Sequence, residues 1–202
     1  YTSTLSIYGQ PSKIPTPEDC KPSPDAFYSI NKLAGEQYVK LYSKHYNIRS
    51  TIFRLYTTYG IGQNLSNRNQ GLLSIFISYI LKNEPIIVKG SLERKRDIVF
   101  VEDVVDAIVK SVDSKSTFDQ TYNLGSGKSL TIREIIDLLI YGLAENSNDY
   151  PIIIEDGTLG DPFETLADMT KIKEHIDWEP KVMPLEGISK TIQSYNKGKI
   201  KW

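Results

Sequence analysis

The chain has 202 residues, 40% of them hydrophobic and 24% charged, which allows one or two compact units with a sizeable core. A formal net charge of -1 gives no global reason to expect nucleic acid or an anionic membrane as a partner, and no apolar run approaches the roughly 20 residues that span a bilayer. Cys20 is the only cysteine, with His45 and His175 far apart, so an intrachain disulfide and a thiolate or His-rich metal site are excluded; the expectation is a metal-free protein of the reducing cytoplasm.

Tyr1 opens directly into a strand-like segment with no initiator methionine, so a front part that is not represented is expected. Residues 1–7 read as a strand closed by a turn at Tyr8-Gly9. Pro11, Pro15, Pro17, Pro22 and Pro24 make residues 10–24 an irregular loop. A long helix is predicted over 25–46, with Phe27, Ile30, Leu33, Ala34, Tyr38, Leu41 and Tyr42 at three- and four-residue steps. A strand over 49–56 follows, closed by Tyr59-Gly60-Ile61-Gly62.

Further along, helices are predicted over 71–82 and 102–112, and strands over 86–88 and 98–101. Tyr122-Asn123-Leu124 ends at Gly125, and Thr131 with Glu134 forms a capping box. The strand 152–154 and helices over 169–176 and 184–195 complete the chain. Strands alternating with helices indicate an α/β architecture with a largely parallel sheet. Two basic clusters stand out, Arg94-Lys95-Arg96 and the tail Lys197, Lys199 and Lys201. The first suits an anionic ligand and the second reads as a solvated end. A dinucleotide fold places a G-x-G-x-x-G loop after its first strand; no such loop stands here, and Gly125-Ser126-Gly127 lacks the third glycine.

Tyr28 and Lys32 lie four apart on the long helix and so share a face. An ammonium beside a phenol favours the phenolate and makes the tyrosine a usable base near neutral pH, with Thr4 as a hydroxyl donor to a bridging oxygen. Alone, Tyr-x-x-x-Lys is weak in a chain with 13 tyrosines. Around it, however, stand blocks in a definite order: Tyr1 to Gly9, Tyr28-Ser-Ile-Asn-Lys32, Phe53 to Gly60, Arg96 to Val104, Tyr122 to Gly127, Gly160-Asp161-Pro162, Ala167-Asp168 and Trp178-Glu179-Pro180.

In that order the blocks resemble the extended short-chain dehydrogenase/reductase family, its NAD-dependent nucleotide-sugar epimerases and dehydratases above all. The resemblance implies the C-terminal part of a Rossmann-type doubly wound parallel sheet plus a smaller α/β substrate domain. Residues 1–60 would belong to the NAD-binding part, and 61–202 mainly to the nucleotide-sugar part with segments returning to the sheet. It also implies catalytic Thr4, Tyr28 and Lys32, with Tyr28, Lys32 and Leu55 toward NAD. Thr4, Thr57, Leu72, Lys89, Arg96 and Asp161 would meet a nucleoside-diphosphate sugar, with Arg96 on the diphosphate and Asp161 near the ribose. Asp103 reads as a helix N-terminal carboxylate. The family's homodimers pack through the Tyr-Lys helix, and surface polysaccharide synthesis is a common setting.

Within the family, 4,6-dehydratases carry an acidic pair straight after the catalytic Ser/Thr, where Leu5-Ser6 stand here. Reductases that also epimerise use a Cys/His pair, whereas Cys20 lies in the Pro-rich loop. C4 epimerisation of the UDP-glucose/UDP-galactose type, or of the N-acetyl forms, needs only Thr4, Tyr28, Lys32 and NAD, and is the expectation. A dehydratase, a decarboxylase and a catalytically silent unit lacking its cofactor half stand as alternatives. Thr57 replaces the usual Asn and Thr158 stands near a usual Arg, so diphosphate binding would be weaker or rerouted through Lys89 or Arg94.

Overall fold

The computed structural model describes residues 1–68, 71–144, 149–158 and 160–196; the tail lysines Lys197, Lys199 and Lys201 lie outside the described residues. The elements run β1 (Thr2–Thr4), α1 (Phe27–Tyr46), β2 (Thr51–Leu55), β3 (Thr57–Tyr59), α2 (Leu72–Leu81), β4 (Ile86–Lys89) and β5 (Lys95–Phe100). There follow α3 (Val101–Val112), β6 (Gln120–Leu124), β7 (Ser129–Thr131), α4 (Ile132–Leu143), β8 (Ile152–Glu155), α5 (Thr170–Ile176) and α6 (Pro184–Asn196).

β1, β2 and β6 form one parallel sheet in that order, with Thr4 opposite Leu55 and Leu55 opposite Leu124, so three carboxyl ends lie level. In a second sheet β3 runs parallel to β5, whose first half pairs antiparallel with β7; β4 and β8 make a parallel pair. The alternating α/β reading holds. The short β7 escaped it because three half-buried residues carry no period.

Two apolar clusters hold these layers. One, from Tyr59, Phe76, Ile77, Ile86, Phe100 and Leu139 among others, fills the space between β3–β5 and helices α2, α4 and α6. The other packs Phe53, Val99, Ala107, Tyr122, Ile172 and Trp178 beside the first sheet. Trp178 is fully buried, so the Trp-Glu-Pro block is a packing feature. α4 begins as the sequence requires: Thr131 Oγ1 accepts the Glu134 N–H and Glu134 accepts the Thr131 N–H.

The opening strand is shorter than expected. It stops at Thr4, whose hydroxyl accepts the Ser6 N–H at 3.2 Å and turns Leu5–Tyr8 into a 3-10 turn. A Thr side chain that satisfies a nearby backbone N–H competes with continued strand pairing. The α1 stripe is also turned away from this chain's core: Phe27, Ile30, Tyr38, Leu41 and Tyr42 are 50% to 90% exposed.

What docks α1 is polar. Only Ser29 and Glu36 are fully buried on it. Arg54, on β2, reaches Glu36 through two hydrogen bonds, Nε to Oε1 at 3.0 Å and Nη2 to Oε2 at 2.9 Å. The Arg54 Nη1 donates to the Tyr8 hydroxyl and to the Glu18 carbonyl, both at 2.9 Å. Tyr8 in turn donates to Asn123 Oδ1 at 2.7 Å, and Asn123 Nδ2 donates to the Thr16 carbonyl at 2.9 Å. The network ties α1, β2, β6, the 3-10 turn and the Pro-rich loop together. Its burial pushes the Tyr8 phenol up to about 12.

Burial alone would raise the Glu36 carboxyl, but the hydrogen bonds and charge of Arg54 outweigh it and hold it below its usual value. The unfolded chain therefore binds that proton more readily than the folded one. The resulting stability is complete above the ordinary glutamate range and is lost as pH falls through the lower folded value. Breaking a buried ion pair by removing one partner costs about 3–5 kcal/mol. Glu36→Gln is accordingly expected to lower the unfolding free energy by about that amount in urea titrations at neutral pH. The gap to the unsubstituted protein should close as the solution is acidified; a constant gap would show that ionisation of Glu36 contributes nothing.

Candidate active site

The level carboxyl ends of parallel strands are where open α/β sheets take their ligands. Beside them the structure has a cavity of about 330 Å³. Leu5 and Ser6 line one side, placed there by the Thr4 turn. Tyr28 lines it from the start of α1. Ala26, the residue before that helix, has no side chain to cap it; Ser29 compensates, accepting the Ala26 N–H at 3.2 Å and donating to its carbonyl at 2.8 Å. Thr57 from β3, Arg96 from β5 and Asp161 from the 158–162 segment complete the wall.

Lys32 sits one turn along α1 from Tyr28, its ammonium 5.8 Å from the centre of the Tyr28 ring and donating at 3.0 Å to the Thr2 carbonyl. The Tyr28 hydroxyl makes no hydrogen bond among the described residues. Thr4 is buried just behind the cavity wall, and its hydroxyl donates to Ser6 Oγ at 3.2 Å. Leu55 ends β2 directly beside Thr4 without reaching the cavity.

Asp161 lies between two guanidiniums. Arg96 donates to its Oδ1 at 2.7 Å, and Arg94 pairs with its Oδ2 while also holding the Lys89 carbonyl. Arg96 donates further to its own chain at the Lys95 carbonyl, 2.8 Å. Burial draws its guanidinium below the ordinary value, with Asp161 opposing that shift. Two cations against one carboxylate leave this wall with one positive charge for an anion.

A second cavity, of about 500 Å³, adjoins the first and shares Thr158 and Asp161 with it. Leu72 and Lys89 line this one, together with Arg68, Arg94 and Glu155. The expected site residues are thus divided: Tyr28, Thr57, Arg96 and Asp161 face one cavity, and Leu72 and Lys89 the next. Sequence reasoning missed Asp25, Gly160 and Thr165 in the first cavity. Asp25 carried one signal, a carboxylate three residues before Tyr28 at the mouth of a helix.

The remaining polar motifs are structural. The buried Asp97 accepts the N–H groups of Ser126 at 2.6 Å, Gly127 at 3.2 Å and Ala167 at 3.0 Å, and the Ser126 hydroxyl at 2.8 Å. Ser126 and Gly127 therefore spend their donors on an internal carboxylate, and the Gly125 N–H donates to Met169 Sδ at 3.4 Å. Burial raises that carboxyl above its usual range, with the donors opposing. Asp103 is buried and accepts the Lys181 and Val182 N–H groups, so it fixes the segment before α6. Among the described residues no His/Cys/Asp/Glu group could hold a metal ion, and no helix is long and apolar enough to cross a membrane. Asp97→Ala is expected to strip three buried amides of their acceptor, each worth about 1–3 kcal/mol. Hydrogen exchange should accelerate at Ser126, Gly127 and Ala167 together; protection retained at all three would refute the staple.

A Tyr-x-x-x-Lys helix against a parallel sheet, with an arginine-bearing cavity at the strand ends, defines an α/β protein of the Rossmann type. The chain belongs to the NAD dependent epimerase/dehydratase family, whose model matches residues 1–125. It is 29% identical over 187 residues to a putative UDP-glucose 4-epimerase of Methanocaldococcus jannaschii, covering 93% of this chain and 59% of that protein. It is 30% identical to a dTDP-4-dehydro-6-deoxyglucose reductase of Escherichia coli, covering 94% and 58%. A UDP-glucuronic acid decarboxylase of Arabidopsis thaliana is 26% identical, with 96% and 43% covered.

Among solved structures, the UDP-glucose 4-epimerase of Thermotoga maritima with UDP-glucose superposes with a TM-score of 0.87 at 30% identity, over 98% of this chain and 63% of that one. The UDP-glucuronic acid 4-epimerase of Bacillus cereus, with UDP-glucuronic acid and NAD, gives 0.85 at 25% identity, over 97% and 60%. The chain thus spans about three fifths of the length of the first curated relatives it matches.

Proposed function

We propose that the protein interconverts a nucleoside-diphosphate hexose and its C4 epimer, of the UDP-glucose/UDP-galactose type, with NAD. One observation carries the reading: Tyr28, with a free hydroxyl, shares a cavity with Thr57, Arg96 and Asp161, while Leu5 and Ser6 bring no acid or base to it. Residues 1–60 on this reading form part of the NAD-binding unit, and 61–202 mainly the sugar-nucleotide unit.

The residues present fit one end of the cofactor. Lys32 spends a single hydrogen bond on Thr2, which leaves its other ammonium donors for ribose hydroxyls. Leu55 lines up beside Thr4 as an apolar neighbour for the nicotinamide. A pyrophosphate cradle is not supplied by the described residues, since the Gly125–Gly127 amides are taken. When bound, NAD accepts the C4 hydride and returns it.

Everything else falls to side chains of this chain. Tyr28 takes the proton of the C4 hydroxyl as the carbonyl forms and gives it back from the same oxygen after the sugar has turned. Thr4, by rotating its hydroxyl away from Ser6 Oγ, donates to the reacting oxygen. Arg96 offers its fork to the diphosphate, with Asp161 fixing its plane. The exposed stripe Phe27, Ile30, Tyr38, Leu41 and Tyr42 supports a homodimer packed through α1.

A second reading, elimination of water, draws support from Asp25, a carboxylate in the same cavity. It would yield a keto-sugar lighter by one water, visible by mass. On the epimerase reading the product has unchanged mass and inverted C4, and Tyr28→Phe removes nearly all turnover while UDP-glucose still binds. Wild-type rates in that variant would refute the role of Tyr28. Calorimetry on this chain should show UDP binding that Arg96→Ala weakens by roughly tenfold, equivalent to about 1.4 kcal/mol. Binding of NAD should be far weaker, for want of a pyrophosphate cradle; tight NAD binding would overturn that part.

A further inference from the structure

Asp25 is placed to read the sugar. It precedes α1 by two positions, too early to cap the helix, and Ser29 already serves Ala26. Its carboxylate makes no hydrogen bond or ion pair among the described residues. The side chain lines the cavity against Gly160: a Cβ at Gly160 would collide with the carboxylate, and one at Gly9 would stand 3.8 Å from its Oδ2. Gly160 has φ +81° and Gly9 φ +58°, conformations that glycine adopts freely and that leave this space open.

The same cavity holds Tyr28 three residues on, and Arg96 on the opposing wall. The charges therefore divide. The Arg94–Asp161–Arg96 group carries the one net cation suited to a diphosphate, and Asp25 adds to the cavity it shares with Tyr28 a carboxylate that has no partner among the described residues. An anion there accepts hydrogen bonds from ring hydroxyls and repels a ring carboxylate, and specificity of this kind rests on the repulsive contact as much as on the attractive one. The family's relatives divide along this line, since the Thermotoga maritima enzyme was solved with UDP-glucose and the Bacillus cereus enzyme with UDP-glucuronic acid.

We propose that Asp25 is a specificity-determining residue that admits neutral hexosyl nucleotides and excludes uronosyl ones. The inference rests on the nucleotide-sugar reading above and names the substrate class within it. Calorimetry with UDP, UDP-glucose and UDP-glucuronic acid tests it on wild type, Asp25→Asn and Asp25→Lys. The expected result is UDP-glucose bound about tenfold more tightly than UDP-glucuronic acid by the wild type, a preference reduced to about threefold or less in Asp25→Asn and reversed in Asp25→Lys. UDP itself should bind all three proteins alike. Equal affinity of the wild type for both sugars, or an unchanged ratio in both variants, overturns the role of Asp25 while UDP binding stands. Failure of the wild type to bind UDP at all would sink the nucleotide-sugar reading instead.

Discussion

Between α1 and the first sheet the contact is made by a charged pair, Glu36 with Arg54, buried almost completely on both sides. Taking two charges out of water is costly, and an apolar pair of similar volume would often stabilise as well or better. What the pair supplies here is orientation. Glu36, Lys32 and Tyr28 are spaced four apart, so they share one face of α1. A guanidinium that grips both oxygens of Glu36 fixes the rotation of the helix about its axis, and with it the direction of Lys32 and Tyr28. The same guanidinium holds Tyr8 and the Glu18 carbonyl, so the turn that places Leu5 and Ser6 is set by the group that sets Tyr28.

Charge on the other side of the cavity is arranged differently. Asp161 is partly exposed and lies between Arg94 and Arg96, so it holds two flexible side chains in place while cancelling only one of their charges. Asp97 works at depth, closing Gly125–Gly127 and the 165–167 segment around a single carboxylate. A loop that resembles a phosphate cradle in sequence thus has its donors used internally. Tyr28 and Asp25, in contrast, have no hydrogen-bond partner among the described residues.

Much of this was legible in the sequence. Ordered blocks marked Tyr28, Thr57, Arg96 and Asp161, and the structure brings those four to one cavity. Spacing gave the helices within a residue or two, because a 3.6-residue period is strong over ten or more positions. The length of β1 was not legible, since the Thr4 hydroxyl ends it by a side-chain bond that composition does not reveal. Nor was the buried pair: Glu36 and Arg54 lie in ordinary helical and strand patterns, and only the fold shows that they meet. Asp25 was overlooked for a related reason, because it reads as the first residue of the long helix and only the fold brings it to a cavity.

The two faces of α1 draw these threads together. Toward the sheet it is polar and fully specified, from Ser29 and Glu36 to the Lys32 ammonium on Thr2. Away from it, among the described residues, stand large apolar side chains that nothing covers, and β1 pairs there with β2. Large exposed apolar stripes of this kind mark surfaces that other protein covers. The first cavity, by contrast, is lined by residues between Leu5 and Thr165 that bring Arg96, Asp161 and Asp25 together. On the nucleotide-sugar reading, the polar groups that would meet the ligand are therefore set by this chain's own packing, whereas Lys32 is held by the Thr2 carbonyl on the polar face of α1.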